Sequence, residues 1–313
     1  MIKNLAFSLT LLLASMGSVE AAVIKKTDIA QAHEIFIDSG DSKIFCRTMG
    51  QGKPLVVIHG GPGLTQDYLL PQLSKLAERN FVIFYDQRGC GRSTGEIHQD
   101  TMNITTFVND LENIRKAFNF DKISLLGHSW GGLLAMHYAI EHPKSVDKLI
   151  LSNSEPASSD DITIFMNEWP RRMAPHQGEI AAIQNMTGFQ EGDPALHERF
   201  SRIIFRTYCH VPEHASLLDL RMTHSAAINC TKINALFFET TLGKPFNLHE
   251  SLKTLRVPTL ILHGDNDVIP AITAQNIHNS ILDSKYVEIK NCGHFPYIEQ
   301  PNEYFKLLKD FLN

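Results

Sequence analysis

The chain has 313 residues, 43% of them hydrophobic and 20% charged, and carries a formal net charge of −5. That length holds one large domain or two of roughly 100–200 residues, and so ordinary a composition excludes a disordered or low-complexity chain. Lys and Arg are dispersed and give no basic surplus, which argues against nucleic acid as a partner.

The first 22 residues have the order of a signal peptide: Lys3, a mostly apolar run from Leu5 to Ala14, then small residues at Val19-Glu20-Ala21 or Glu20-Ala21-Ala22. The mature protein is therefore expected to be exported, to the periplasm or beyond. Ser15, Gly17, Ser18 and Glu20 break the run short of the ~20 apolar residues a membrane span requires, so no stable membrane anchor is expected.

Two alternating runs, His33–Asp38 and Lys43–Met49, flank Ser39-Gly40-Asp41 and predict a hairpin. The rhythm then changes. Leu55–Ile58, Phe81–Tyr85, Ile123–Leu126 and Leu149–Leu151 are short continuous apolar runs, suited to strands covered on both faces. Helical periodicity appears between them at Tyr68–Arg79, Ile104–Phe118 and Leu133–His142, the last stopped by Pro143. Such alternation builds a mainly parallel sheet. From Ser154 to about Lys253 the strand-like runs cease, and helical patterns at Ala195–Tyr208 and His214–Ile228 predict an inserted helical cap. The core resumes with a strand at Val257–His263, a helix at Ala271–Leu282, a strand at Tyr286–Ile289 and a helix at Asn302–Leu312. The expected organisation is thus core (residues 23–153), cap (154–253) and core again (254–313).

Cys46, Cys90, Cys209, Cys230 and Cys292 are too few and too irregularly spaced for a disulfide framework or a zinc site. Cys209 and Cys230 could pair in an oxidising compartment, or all five could be free thiols.

Chemistry concentrates at three strand ends. Leu125-Leu126-Gly127-His128-Ser129-Trp130-Gly131-Gly132 runs from a strand through Gly-x-Ser-x-Gly into a helix. That sharp turn lifts a serine hydroxyl above the sheet and leaves no room for side chains two residues either side. A serine needs a base and the base an orienting acid, here in the chain order Ser, Asp, His. Asp267 follows the strand ending at His263, with Asp265 as its competitor; His294 follows the last strand in Asn291-Cys292-Gly293-His294-Phe295-Pro296. His59-Gly60-Gly61-Pro62-Gly63 ends the first core strand, and the N–H of Gly61 is expected to join that of Trp130 in an oxyanion hole. His128 is expected to point away from the reacting face and His59 to shape its loop. No ligand cluster or nucleotide loop implies a metal or an organic cofactor.

His59-Gly-Gly-Pro-Gly63, Tyr85-Asp86-Gln87-Arg88-Gly89-Cys90-Gly91-Arg92-Ser93 and Gly127-His-Ser-Trp-Gly-Gly132 together resemble the proline iminopeptidases (prolyl aminopeptidases) of the α/β-hydrolase fold. Tyr68-Leu69-Leu70 is similar to their tricorn-interacting branch. The resemblance covers His33–Ser152 and Val257–Asn313. It implies a serine aminopeptidase acting on small peptides with a free N-terminus, whose amine is bound by cap glutamates. Glu213 and Glu239 lie in the segments most similar to the family's, with Glu155 and Glu168 in reserve. Arg88 and Arg92 are expected to brace the loop beneath the site. His128 departs from the Gly-Gly-Ser-Trp-Gly elbow of many members and is shared with esterases and lipases, so an exported carboxylesterase or lipase with the same triad is the alternative. A non-catalytic binding protein on this fold is a more remote one.

Overall fold

The computed structural model describes residues 32–313. The signal peptide expected at residues 1–22 lies outside the described residues. Among those described, no helix is long and apolar enough to cross a membrane.

Eight strands form one sheet in the order β1-β2-β4-β3-β5-β6-β7-β8. β1 (His33–Ser39) and β2 (Ser42–Met49) make the predicted hairpin, which turns at Gly40 with φ of 62°. β2 pairs antiparallel with β4 (Asn80–Tyr85). From there every pairing is parallel, through β3 (Lys53–Ile58), β5 (Ile123–His128), β6 (Val146–Ser152), β7 (Thr259–Gly264) and β8 (Ser284–Ile289). This is the mainly parallel α/β-hydrolase sheet that the alternating rhythm implied.

The sheet is covered on both faces, which is why its central strands read as unbroken apolar runs. In β3, Val56 and Ile58 join one apolar cluster while Leu55 and Val57 join the other, following the two-residue period of a strand. The first cluster packs beneath α1 (Ile104–Ala117) and α2 (Trp130–Glu141), with Phe107, Leu111, Leu133 and Leu134 fully buried. Each large side chain so buried contributes on the order of 1.5–3 kcal/mol. Asn103 caps α1 by accepting the N–H of Thr106 at 3.1 Å.

Between β6 and β7 the chain is helical: α3 (Ser159–Met173), α4 (Gln177–Gln184), α5 (Pro194–Tyr208) and α6 (His224–Phe237). The core then closes with α7 (Ala271–Ser280) on the first face and α8 (Pro301–Leu312) on the second, where Tyr304 and Leu308 join the same apolar cluster as Leu73 and Leu76.

Two predicted helices differ. Tyr68–Arg79 is not continuous but three short turns, Gln66–Tyr68, Leu70–Leu73 and Ser74–Glu78. Pro71 has no N–H to donate back along the chain, so the first turn cannot propagate into the second. The helix expected at His214–Ile228 is instead a tight turn at Pro212–Leu217, an extended break, and then α6. In the break the Asp219 carboxylate accepts the N–H of Arg221 at 3.3 Å, and Thr223 accepts that of Ala226 at 3.2 Å to start α6 afresh.

Candidate active site

β5 delivers Ser129 at φ 57° and ψ −126°, a conformation that non-glycine residues rarely occupy. It is sustained by a crowded turn. The Ser129 N–H donates to Ser152 O at 3.1 Å, and its carbonyl accepts from Gly132 at 2.8 Å and Glu155 at 3.0 Å. A Cβ on Gly127 would collide with the Gly131 carbonyl, and one on Gly131 with the Ile58 carbonyl, so neither position accepts a side chain.

The loops after β7 and β8 bring Asp267 and His294 together. His294 Nδ1 lies 2.9 and 3.1 Å from the two Asp267 carboxylate oxygens. Asp267 also accepts from Asn153 Nδ2 at 2.6 Å and from the Ile269 N–H at 3.1 Å. Burial pulls this carboxyl upward, but His294, His263 and Asn153 outweigh it and hold Asp267 at about 2. It is therefore ionised at neutral pH and fixes the histidine by charge as well as by hydrogen bonds. Asp265 instead ties down the loop after β8, accepting the Cys292 N–H at 3.2 Å, with Lys290 3.9 Å away.

The helical segment reaches down to these loops. Arg172 of α3 donates to the carbonyls of Asn266 and Asp267, each at 2.9 Å, and the His294 N–H donates to Tyr208 O at 2.9 Å. Glu299, buried below them, accepts the N–H groups of His210 (2.6 Å), Gly293 (3.0 Å) and Phe295 (3.2 Å).

The Gly-rich turn is braced from the other side. His59 is buried and held neutral, burial pushing its ring down to about 4. Its Nε2 accepts the Gln87 N–H at 3.0 Å, which leaves Nδ1 to donate to Gly60 O at 2.7 Å. The Gln87 side chain bridges to the elbow, donating to His59 O at 2.7 Å and accepting from Trp130 Nε1 at 2.9 Å. Arg88 pairs with buried Asp110 at 2.7 Å, and Arg92 packs over the Phe45 ring at 3.8 Å from its centre; neither lines the cavity.

Ser129 and His294 face one cavity of about 180 Å³, together with Gly60, Gly61, Tyr68, His128 and Glu155. Its remaining wall is mostly apolar, including Phe165, Phe200, Ile204 and Phe205 from the helical segment. His128 was expected to point away; the residue borders this cavity, while both nitrogens of its ring are engaged by protein partners. It is wired to the site because the polar edge of a buried imidazole needs partners: Nε2 meets His294 O and Nδ1 meets the Tyr68 hydroxyl, both at 2.8 Å.

The two glutamates singled out by the resemblance stand elsewhere. Glu213 lies on the exposed face of the Pro212–Leu217 turn, and Glu239 is exposed in the Phe238–Leu242 turn after α6. Neither lines the cavity; the carboxylate that does is Glu155. It is 8% exposed, and its Oε2 finds no hydrogen-bond partner among the described residues. Burial raises this carboxyl to about 7; His294 opposes the rise and Asp267 adds to it. Its signal in the sequence was its place just beyond β6, since residues at the carboxyl ends of parallel strands gather at the site. Cys209 and Cys230 are not joined; all five cysteines are free thiols, with Cys230 on the cavity wall.

A mainly parallel sheet with a serine at a strained strand-to-helix elbow and a His–Asp pair on the neighbouring strand ends defines an α/β-fold serine hydrolase. The comparisons agree: residues 53–176 match the α/β-hydrolase fold family. A proline iminopeptidase of Lactobacillus delbrueckii subsp. lactis is 30% identical over 299 residues, spanning 90% of this chain and 98% of the relative. That of Clostridioides difficile (strain 630) is 30% identical over 283 residues, spanning 87% and 94%. The chain belongs to the proline iminopeptidase family. In fold it is similar to the crystal structures of VinJ (TM-score 0.69, 23% identical, 90% of this chain and 98% of that one) and of Mycobacterium smegmatis proline iminopeptidase (TM-score 0.66, 23% identical, 90% and 97%).

Proposed function

We propose that the protein is a serine aminopeptidase that releases the N-terminal residue, proline by preference, from small peptides. The observation that carries this reading is that Ser129 and His294 share a cavity of only about 180 Å³, with Asp267 hydrogen-bonded behind the histidine. Sites for drug-sized ligands run to roughly 300–1,000 Å³; this one suits a single residue better than a long acyl chain. Its phenylalanine and isoleucine wall favours an apolar ring, and family membership favours peptides as substrates.

In this mechanism Ser129 Oγ attacks the carbonyl carbon of the N-terminal residue while His294 Nε2 takes the hydroxyl proton. The oxyanion is held by the N–H of Trp130, at the start of α2, and by that of Gly61. The C–N bond then breaks, His294 returns the proton to the departing amine, and an ester to Ser129 remains. Water, deprotonated by His294, attacks that ester and frees both the amino acid and Ser129. Residues 154–253 act as the cap that closes the cavity over the core formed by residues 23–153 and 254–313. Export rests on the order of residues 1–22 alone.

The test compares hydrolysis of prolyl, alanyl and N-blocked prolyl anilides with short-chain nitrophenyl esters, using Ser129→Ala as control. Cleavage of the unblocked anilides alone, lost in the variant, is the expected result. Ester turnover without anilide cleavage would make the protein a carboxylesterase.

A further inference from the structure

We infer that Arg172, on the helical segment, is a positioning residue for the orienting acid: its guanidinium fixes the stretch of backbone that carries Asp267. The inference rests on the proposed triad of Ser129, His294 and Asp267, and it holds whichever acyl compound the enzyme cleaves.

The local sequence explains how the side chain comes to be there. Arg172 stands in the last turn of α3, where its neighbour Arg171 is exposed while Arg172 turns inward, its side chain only 21% exposed. Glu168, one turn earlier, accepts from its Nε at 3.2 Å and so aims the guanidinium at the core.

The loop that carries the acid is fastened by the core through its N–H groups and by Arg172 through its carbonyls. The N–H groups of Asp265, Asn266 and Asp267 donate to Ile289 O at 2.9 Å, Cys292 O at 2.8 Å and Gly264 O at 3.2 Å. The carbonyls of Asn266 and Asp267 are left over, and among the described residues their one donor is Arg172, at 2.9 Å to each. A longer bond of 3.5 Å runs from the same guanidinium to Thr207 O, next to the Tyr208 carbonyl that receives the His294 N–H. One planar cation thus spans the backbone of the acid and the segment that steadies the base. A rigid fork of N–H groups suits two successive carbonyls in a way that a single ammonium does not.

Arg172 does not line the cavity that holds Ser129, and its bonds go to the main chain of Asp267, not to the carboxylate. It therefore acts through Asp267. Without it two carbonyls lose their donor, and the carboxylate can shift against His294. Displacement of about 1 Å near a reacting centre can cost ~10²-fold in rate. The loss should fall on kcat, since no substrate contact is removed.

The site of the guanidinium also borders an open outer cleft of about 400 Å³, with Thr207 and Asn266 on its wall, so truncation leaves a place that a solute can reach. Arg172→Ala, Arg172→Lys, Asp267→Ala and Arg172→Ala/Asp267→Ala are assayed on nitrophenyl acetate, a reactive ester that keeps the residual rate of the Asp267 variants measurable. In Arg172→Ala kcat is expected to fall roughly 10- to 100-fold with KM within about twofold of wild type. Arg172→Lys should lose less. Guanidinium ion at a non-denaturing concentration, against sodium chloride of equal ionic strength, should restore part of the kcat of Arg172→Ala. In Asp267→Ala the further loss of Arg172 should cost less than about twofold, because the group it positions is gone. A purely structural tie would lower Tm, ignore guanidinium and cost the same factor in both backgrounds. Unchanged kcat in Arg172→Ala, or equal losses in the two backgrounds, would overturn the inference. Should Arg172→Ala not fold, Arg172→Lys takes its place in the same cycle. The two readings fail separately: wild-type kcat in Asp267→Ala would remove the triad and the positioning role with it. A loss in Asp267→Ala with none in Arg172→Ala would keep the triad and remove the positioning role alone.

Discussion

The ring of His128, next to the elbow serine in the chain, donates its Nε2–H to the backbone carbonyl of His294 at 2.8 Å. A carbonyl can only accept, so the other ring nitrogen, Nδ1, is the acceptor of a hydrogen bond that the Tyr68 hydroxyl donates at 2.8 Å. Tyr68 in turn accepts the Gly60 N–H at 2.7 Å. One continuous line of hydrogen bonds thus joins the Gly-rich turn, the elbow and the histidine loop. Burial, with His294 adding to it, drives His128 down to about 3, so the line keeps this polarity at any pH where the enzyme would work.

Cutting that line should loosen the catalytic geometry. Tyr68→Phe strands the Gly60 N–H and the His128 Nδ1, and His128→Ala strands the Tyr68 hydroxyl and the His294 carbonyl. Each is expected to cost about 1–3 kcal/mol in stability. Because displacements of about 1 Å at a reacting centre can cost ~10²-fold in rate, kcat should fall by roughly 10- to 100-fold. The two side chains share a bond, so their effects should not add in a double-mutant cycle on kcat and Tm. Additive effects would mean that the two act separately.

Asp267→Asn tests the orienting acid. Asparagine keeps the shape but can present an N–H to His294 Nδ1, which favours the tautomer unable to take the serine proton. The expected outcome is a fall in kcat on the order of 10⁴-fold with the fold retained, checked by pre-steady-state acylation and far-UV circular dichroism. A fall of less than tenfold would mean that His294 is oriented mainly by its backbone contacts to Tyr208 and His128.

Much of this arrangement was readable from the sequence, for physical reasons. The strands were legible because a sheet covered on both faces favours continuous apolar runs, as at Leu55–Ile58 of β3. The elbow was legible because no side chain fits at Gly127 or Gly131. The helical segment was harder. Its helices are largely exposed, so their ends are set by local caps such as Thr223 and not by a buried core. Glu213 and Glu239 were chosen by likeness of neighbouring residues and stand outside the cavity, while Glu155 enters it through the path of the chain beyond β6. The roles of His128, Tyr68, Asn153 and Glu299 depend on partners far away in sequence, 166 residues away for the bond from His128 to His294, and no local pattern encodes them.

The cost of keeping Glu155 should appear as a pH-dependent stability. In the unfolded chain this carboxyl ionises near 4.5, in the folded protein near 7. Across that window the folded state holds the extra proton, so stability falls as pH rises from about 4.5 to 7 and is flat above it. At about 1.4 kcal/mol per pH unit the loss is roughly 3 kcal/mol. Glutamine cannot ionise, so Glu155→Gln should gain stability relative to wild type between pH 4.5 and pH 8.5. Denaturant titrations at the two pH values measure the difference. The same difference at both would show that Glu155 ionises freely in the folded state.

Glu299 offers a test of how far the helical segment controls the chemistry. Its carboxylate binds backbone on both sides of a seam, His210 from the segment and Gly293 and Phe295 flanking His294. Burial pushes its carboxyl upward, and these N–H groups pull it back. Glu299→Gln sets an amide NH₂ against N–H donors, so at least one donor loses its acceptor. Hydrogen bonds to a charged group are worth about 1.5–3 kcal/mol, and a loss of that order is expected. If the clamp positions His294, kcat should fall with little change in KM, and amide exchange should accelerate at both His210 and Gly293. Lower stability with an unchanged kcat well below the melting temperature would reduce Glu299 to a structural tie. A fall in kcat would mean instead that motion of the helical segment reaches the catalytic base through one buried carboxylate.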